Sequence, residues 1–261
     1  MTEEEIFLTS ILNCSRAHLY TQDISLDAQK YKRLLQCLSL RSQGFPLQYI
    51  LGEVEFFGLV FKVDKRVFIP RPETEILVET AINKAKNKKK ELKVLELGTG
   101  SGCIAISLAK FLPSAQVTAA DISSDALDVA RENARLNKVD GKIEFILSDL
   151  FAGTSLSLCY DILIFNPPYI CSQDIGHLQR ELGFEPRIAL DGGSDGLDFY
   201  RRIIREAPRF LKKDGLLLLE IGFGQRDGIA RLVRRQAQLL KLQEVIKDYS
   251  GIERIIIVEN G

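Results

Sequence analysis

The chain has no tryptophan and no excess of charge of either sign. Its 261 residues include 35 Lys and Arg and 35 Asp and Glu, so the formal net charge is zero. Proteins that hold nucleic acid by its phosphates usually carry a basic excess, and those that hold single strands add aromatic side chains on which bases stack. The composition therefore argues against a general polyanion-binding protein, although it allows a local basic patch.

The chain also lacks paired cysteines and long apolar runs. Its five cysteines form no Cys-x-x-Cys pair, and neither histidine has metal-ligand spacing, so we expect no metal site and no disulfide framework. Apolar runs such as Leu216–Leu219 are far too short to span a bilayer, and the chain starts with acidic residues where a secretory signal would be basic. We expect a cytoplasmic protein without membrane association.

Sequence patterns divide the chain into three units. Residues 1–50 have apolar positions at helical spacing, which predicts a small helical domain, and residues 51–70 contain an aromatic and β-branched segment with a central Gly58, which predicts a β-hairpin linker. Residues 71–261 form the third unit, which begins with a helix from Thr74 to Lys86 that fades into the lysine run at 87–90, a solvated helix end.

From residue 92 onward, short apolar runs alternate with helical stretches. This alternation predicts an α/β domain with a doubly wound, Rossmann-like, mostly parallel sheet and helices on both faces. Its seven predicted strands are residues 93–97, 116–121, 142–147, 160–165, 215–221, 242–248 and 254–259, and its later predicted helices are residues 103–111, 125–136, 197–211 and 225–240.

A glycine-rich segment follows the first predicted strand of this domain. It consists of Gly98, Thr99, Gly100, Ser101 and Gly102, with Glu96 before it and a helix after it. A phosphate-binding P-loop would need Gly-Lys-Ser or Gly-Lys-Thr at its end, and a dinucleotide fingerprint would need glycine at Cys103. An acid followed by Gly-x-Gly-x-Gly is instead typical of S-adenosylmethionine enzymes, so we expect these five residues to bind that cofactor.

Acidic residues follow the second and third predicted strands. Asp121 stands where a carboxylate can accept hydrogen bonds from the two ribose hydroxyls. Asp149 is placed to accept from the adenine amino group, and Leu150 or Phe151 to cover the ring. We expect these four residues to complete the cofactor site.

The fourth predicted strand runs into Asn166, Pro167, Pro168 and Tyr169. An amino group on an amide or nucleobase is a poor nucleophile because its lone pair is delocalised. The Asn166 side-chain carbonyl and the Pro167 backbone carbonyl can accept both of its N–H groups and direct the nitrogen at a sulfonium methyl, while Tyr169 stacks on the planar group. The segment predicts N-methylation of a planar amino group, and by itself does not choose between adenine in nucleic acid and glutamine in protein.

Two further segments carry a resemblance to a known family. Residues 41–79, which include Ile69-Pro70-Arg71-Pro72-Glu73, and residues 184–197, which begin Phe184-Glu185-Pro186-Arg187, look like the bacterial release factor glutamine methyltransferases. Together with residues 96–102 and 166–169, the resemblance covers about residues 41–225. Ribosomal-protein glutamine methyltransferases resemble the same core, but their segment after Asn-Pro-Pro-Tyr usually departs from Phe-Glu-Pro-Arg.

The resemblance implies a class I S-adenosylmethionine-dependent methyltransferase. Gly98–Gly102 and Asp121 would bind the cofactor, Asn166 would contact both cofactor and substrate amide, and Asn166–Tyr169 would hold the glutamine of the Gly-Gly-Gln motif in class I peptide chain release factors. The helical domain would contact the release factor. Separately, we expect the protein to be a monomer. Methylation of nucleic acid or of a ribosomal-protein glutamine remains the alternative.

Overall fold

Short helices build the first part of the chain, and their ends are defined by capping side chains. The computed structural model describes residues 1–22, 24–86, 91–152, 159–236 and 239–261. Thr2 and Glu5 form a reciprocal capping box at the first helix. The helices pack on a small core of Phe7, Leu34, Cys37 and Ile50, and their bounds are α1 Glu3–Leu12, α2 Arg16–Thr21, α3 Ala28–Ser42 and α4 Leu47–Leu51.

The predicted β-hairpin follows these helices directly. Strands β1 (Glu53–Phe56) and β2 (Leu59–Lys62) pair antiparallel. Both turn residues, Phe57 and Gly58, have positive φ angles of 52° and 70°, as the tight turns that suit strand twist require. The boundaries of the three units at residues 50 and 70 stay a prediction.

A seven-stranded sheet organises the rest of the chain, which confirms the predicted fold class. The strand order is β5-β4-β3-β6-β7-β9-β8, and only the pairs that involve β9 are antiparallel. The strands are β3 Lys93–Leu97, β4 Gln116–Asp121, β5 Ile143–Leu147, β6 Tyr160–Phe165, β7 Leu211–Glu220, β8 Leu240–Lys247 and β9 Glu253–Asn260.

Helices cover both faces of the sheet, and each face has its own apolar core. Alternate residues of a strand point to opposite faces, so Leu216 and Leu218 lie in one core while Leu217 and Leu219 lie in the other. The first core is shared with α5 Pro72–Lys86, α6 Cys103–Phe111 and α7 Ser124–Leu136, and the second with α8 Asp198–Glu206 and α9 Arg226–Gln236.

Most element limits agree with the sequence pattern to within a few residues, and the segment around Pro208 does not. The predicted helix over 197–211 ends at Glu206 and passes into a short 3-10 turn that contains Pro208. Proline lacks the N–H that an α-helix needs and clashes with the preceding turn. As a result β7 begins at Leu211 and not at Gly215. The lysine run at 87–90 and part of the predicted helix over 225–240 lie outside the described residues.

No helix in the described ranges combines the length and apolar character needed to cross a membrane. Within the same ranges, His, Cys, Asp and Glu side chains form no cluster of three or more that could hold a metal ion.

Candidate active site

The glycine loop between β3 and α6 adopts a conformation that only glycine takes easily. Gly98, Gly100 and Gly102 all have positive φ angles, between 54° and 82°. A Cβ atom at Gly98 would lie 2.7 Å from the ring of Phe165, whereas one at Gly100 would meet nothing within 4 Å. Gly98 therefore allows close packing against the neighbouring strand, while the backbone at Gly100 faces open space.

Glu96, the acid before the loop, stabilises the turn through buried hydrogen bonds. Its side chain is buried, and one carboxyl oxygen accepts hydrogen bonds from the Thr99 hydroxyl (2.6 Å) and the Ala105 backbone N–H (3.0 Å). Burial raises the pKa of Glu96 to about 8 although both hydrogen bonds oppose the shift, and the nearby Asp121 adds to it. Glu96 thus ties strand, loop and helix together.

Asp121, at the end of β4, faces the loop from the adjacent strand. One carboxylate oxygen accepts from the Gly100 backbone N–H (2.8 Å) and the other from that of Ser123 (2.9 Å). Burial raises the pKa of Asp121, and the backbone hydrogen bonds of Ser123, Gly100 and Ile122 oppose that rise. A carboxylate offers about four lone-pair sites, so Asp121 retains acceptor capacity for a ligand.

The residues after β5 separate into two groups. Asp149 and Leu150 line the cavity described below, and Asp149 also pairs with Arg202 at 2.8 Å. Phe151 lies outside the cavity lining. It is buried in the core with its ring stacked on Phe210, the centroids 4.4 Å apart and the planes 15° from parallel.

Asn166–Tyr169 follow β6 at the same edge of the sheet. The Asn166 amide nitrogen donates to the Thr74 hydroxyl (3.1 Å), and that hydroxyl donates to the buried carboxyl group of Glu220 (2.8 Å). The backbone carbonyl of Tyr169 accepts from the Gln225 side chain at 3.0 Å. Burial raises the pKa of Tyr169 to about 12, so its phenol stays neutral near pH 7.

Two glycines permit the close packing around Tyr169. A Cβ atom at Gly192 would lie 2.8 Å from the Tyr169 Cα, and one at Gly222 would lie 2.9 Å from the Tyr169 ring. Larger residues at either position would displace the tyrosine, so the loops that contain these glycines help to set its position.

The segment after Tyr169 contacts the residues just before α5. Glu185 is buried and accepts from the Ile69 backbone N–H at 2.9 Å, and it also forms an ion pair with Arg71. Burial raises the pKa of Glu185, and the charge of Arg71 counteracts the rise. The Arg71 guanidinium in turn lies over the Phe68 ring, 4.7 Å from its centroid. The two segments that carry the family resemblance therefore contact each other.

A cavity of about 680 Å³ joins these parts, a size usual for small-molecule sites. Its lining includes the predicted site residues Gly98, Thr99, Gly100, Ser101, Asp121, Asp149, Leu150, Asn166, Pro167, Pro168 and Tyr169. Gly102 is the first residue before α6 and packs near Ala130, outside the lining. The structure thus brings residues 98–101 and Asn166–Tyr169 to one cavity, whereas Gly102 and Phe151 lie outside its lining.

Sequence reasoning assigned no supporting role to the polar residues that hold Asn166 and Tyr169 from other parts of the chain. These are Thr74, Glu220 and Gln225. One signal was present: Glu220 directly follows the apolar run Leu216–Leu219, just as Glu96 lies within the apolar run of β3. A charge inside or directly after an apolar strand is unusual and indicates a buried, partnered group.

Comparison with known proteins identifies the class of fold. The protein-family model of the Methyltransferase small domain matches residues 72–181. The family model of the PrmC N-terminal domain matches residues 2–52. The ribosomal protein L11 methylase of Lactobacillus delbrueckii subsp. bulgaricus is similar in fold, with a TM-score of 0.55 and 21% identity, over 76% of this chain and 83% of that chain. Fold and site thus define a Rossmann-like methyltransferase.

Curated relatives identify the particular family. The release factor glutamine methyltransferase of Koribacter versatilis is 37% identical over 97% of this chain and 89% of its own length, and that of Streptococcus pneumoniae is 44% identical over 83% and 75%. This chain belongs to the release factor glutamine methyltransferase family.

Proposed function

We propose that the protein transfers a methyl group from S-adenosylmethionine to the side-chain amide nitrogen of the glutamine in the Gly-Gly-Gln motif of class I peptide chain release factors. The observation that carries the proposal is the shared cavity, since Asn166–Tyr169 and the glycine loop with Asp121 line the same space. The names of the curated relatives support the release factor as the substrate.

The residues on the β3 and β4 side of the cavity fit the cofactor. The open backbone at Gly100 allows close approach of a ligand, and Asp121 keeps acceptor capacity for two ribose hydroxyls. Leu150 provides an apolar contact for the adenine, while Asp149 would accept from the adenine amino group with the lone pairs that its pair with Arg202 leaves. When bound, S-adenosylmethionine supplies an electrophilic sulfonium methyl group.

The residues after β6 fit a primary amide. The Asn166 side-chain oxygen and the Pro167 carbonyl would each accept one N–H of the glutamine amide, which orients its nitrogen toward the methyl group. Tyr169 would cover the planar amide and exclude water from it. The methylated nitrogen is more acidic than the amide, so the loss of its extra proton requires no dedicated base.

Contacts between the helical domain and the segment beside the cavity support a role for this domain in release factor binding. The Phe45 ring, before α4, lies 4.2 Å from that of Phe184, and Arg41 of α3 pairs with Glu181 at 2.6 Å. The segment that contains Glu181 and Phe184 also supplies Leu182 and Pro186 to the cavity lining. A release factor that reaches the cavity would therefore pass beside the helices. Such a substrate would place the enzyme in the cytoplasm, where we expect it to act as a monomer.

Mass spectrometry of a purified release factor tests the proposal. After incubation with the protein and S-adenosylmethionine, we expect one added methyl group, located by peptide fragmentation on the Gly-Gly-Gln glutamine. A release factor with alanine in place of that glutamine is the control and should gain no methyl group. No methylation by protein that binds the cofactor would refute the substrate, and ribosomal proteins and then nucleic acid would be tested next.

A further inference from the structure

A chain of hydrogen bonds leads from the cavity into the protein behind Asn166. Thr74 lies in the first turn of α5 and Glu220 at the end of β7, and their side chains are 2% and 3% exposed. The Asn166 amide nitrogen donates to the Thr74 hydroxyl, which donates to the Glu220 carboxylate. Neither Thr74 nor Glu220 belongs to the segments that would hold the glutamine.

The direction of these bonds follows from the chemistry of their inner end. An ionised carboxylate only accepts hydrogen bonds. The Thr74 hydroxyl must therefore donate its one hydrogen bond to Glu220, and its oxygen accepts a hydrogen bond from the amide nitrogen of Asn166. Because a side-chain amide has NH2 on one side and oxygen on the other, this arrangement turns the Asn166 oxygen away from Thr74.

We infer that Glu220 and Thr74 are positioning residues for methyl transfer, because they hold the Asn166 amide with its oxygen available to accept from the substrate amide. This inference rests on the proposed function. Without the inner carboxylate, the amide of Asn166 could rotate by half a turn and oppose its own NH2 to the NH2 of the substrate. Two donors would then face each other, and the glutamine nitrogen would lose its orientation.

The charge of Glu220 is sensitive to pH near neutrality. Burial raises the pKa of Glu220 to about 7, against the hydrogen bond from Thr74 and the positive charge of Arg254, and the negative charge of Glu73 adds to the rise. A protonated Glu220 would itself be a donor, so the direction of the chain would no longer be determined. The titratable and charged groups around Glu220 are Glu73 of α5, Cys103 of α6, Tyr169 after β6, Tyr200 of α8 and Arg254 of β9.

The first test observes the Asn166 amide directly, without substrate or turnover. Its side-chain NH2 signals in a proton–nitrogen NMR spectrum are identified by their loss in Asn166→Ala. We expect Thr74→Val to shift these signals and to speed their exchange with solvent, because valine matches threonine in shape but accepts no hydrogen bond. Thr80→Val removes another buried hydroxyl six residues further along α5 and should leave the signals unchanged.

The second test measures turnover and cofactor affinity in the same variants. We expect Thr74→Val and Glu220→Gln to lower kcat about tenfold or more while the Kd for S-adenosylmethionine changes less than about threefold. Thr74→Ser, which restores the hydroxyl, should recover most of the rate. The kcat of the wild type should fall as the pH drops below about 7, and Glu220→Gln should lack this acidic limb.

Three results would overturn the inference: unchanged Asn166 signals in Thr74→Val, a wild-type kcat in Glu220→Gln, or equal losses in Thr74→Val and Thr80→Val. Failure of the proposed function looks different. In that case wild-type protein would leave the release factor unmethylated, while the NMR experiment would still report whether Thr74 holds the Asn166 amide.

Discussion

Two buried glutamates support the two halves of the cavity, and they reach their partners in different ways. Glu96 accepts from a threonine hydroxyl three residues away and from a backbone N–H nine residues away. Glu220 also accepts from a threonine hydroxyl, but Thr74 lies 146 residues away, and Asn166 lies 92 residues from Thr74. Burial raises the pKa of both carboxyl groups, to about 8 and about 7.

The same arrangement, a buried glutamate that accepts from a threonine hydroxyl, therefore forms either within one short segment or between distant segments of the chain. The half with Glu96 and the glycine loop is one continuous strand, turn and helix, so its residue spacing is visible in the sequence. The half with Asn166 needs α5, β6 and β7 to meet before its hydrogen bonds exist. The first half is expected to control cofactor affinity, and the second to control transfer.

The largest expected effect is in the half of the cavity that contains Asn166. Asn166→Ala should retain the fold and lose methyl transfer by about 100-fold or more, since removing one preorganised group from a reacting centre commonly costs that much. Single-turnover methylation of a release factor measures the loss, and circular dichroism checks the fold. Normal turnover in this variant would contradict the assignment of methyl transfer to this half of the cavity, because transfer would then not depend on the amide.

The next largest effect is in the half of the cavity that contains Glu96 and the glycine loop. Asp121→Ala should weaken S-adenosylmethionine binding by about 10- to 100-fold, the range for loss of charge-assisted hydrogen bonds. Titration calorimetry gives the Kd. Asp128→Ala, which removes an exposed carboxylate of α7 that pairs with Arg131, is the matched control. Equal affinities in the two variants would remove the ribose role from Asp121.

A third prediction concerns how stability depends on pH. Glu96 has a pKa raised from an ordinary value of 4.5 to about 8 in the folded protein, so the folded state retains a proton that the unfolded chain releases. Stability should therefore fall as the pH rises from about 4.5 to 8, with a slope of at most about 1.4 kcal/mol per pH unit from this group.

Glu96→Gln isolates that contribution because glutamine is neutral at every pH in the window. Urea unfolding at several pH values should give a shallower decline for the variant than for the wild type. Glu220→Gln is the counterpart in the other half, and its effect should end near pH 7 and not near pH 8. Parallel stability curves for wild type and Glu96→Gln would show that Glu96 does not hold the extra proton.

The smallest expected effect separates two neighbouring residues. Leu150→Ala should weaken cofactor binding severalfold, since it removes an apolar contact from the cavity lining. Phe151→Leu should leave the Kd within about twofold and lower the free energy of unfolding by about 1 kcal/mol, because Phe151 packs on Phe210 in the core. The reverse outcome would place the ring of Phe151 against the adenine.

Strand and helix patterns predicted most of the fold because each element buries its own apolar face. The strands over 93–97, 116–121 and 160–165 have the predicted limits. The overlong helix at 197–211 shows the limit of periodicity, since apolar spacing continued through Pro208 where the backbone could not remain helical. The position after the third predicted strand made Phe151, like Leu150, a candidate to cover the adenine, but the ring of Phe151 packs in the core.

The local features of the site could be predicted from the amino-acid sequence alone: the glycine loop, the acid at the end of β4, and the Asn-Pro-Pro-Tyr segment after β6. Short-range sterics and hydrogen bonds govern these features, so neighbouring residues suffice to predict them. The hydrogen-bond chain of Thr74, Asn166 and Glu220 and the ion pair of Glu185 with Arg71 become visible only in the folded structure. Such contacts depend on the order in which strands join a sheet, which spacing along the chain does not record.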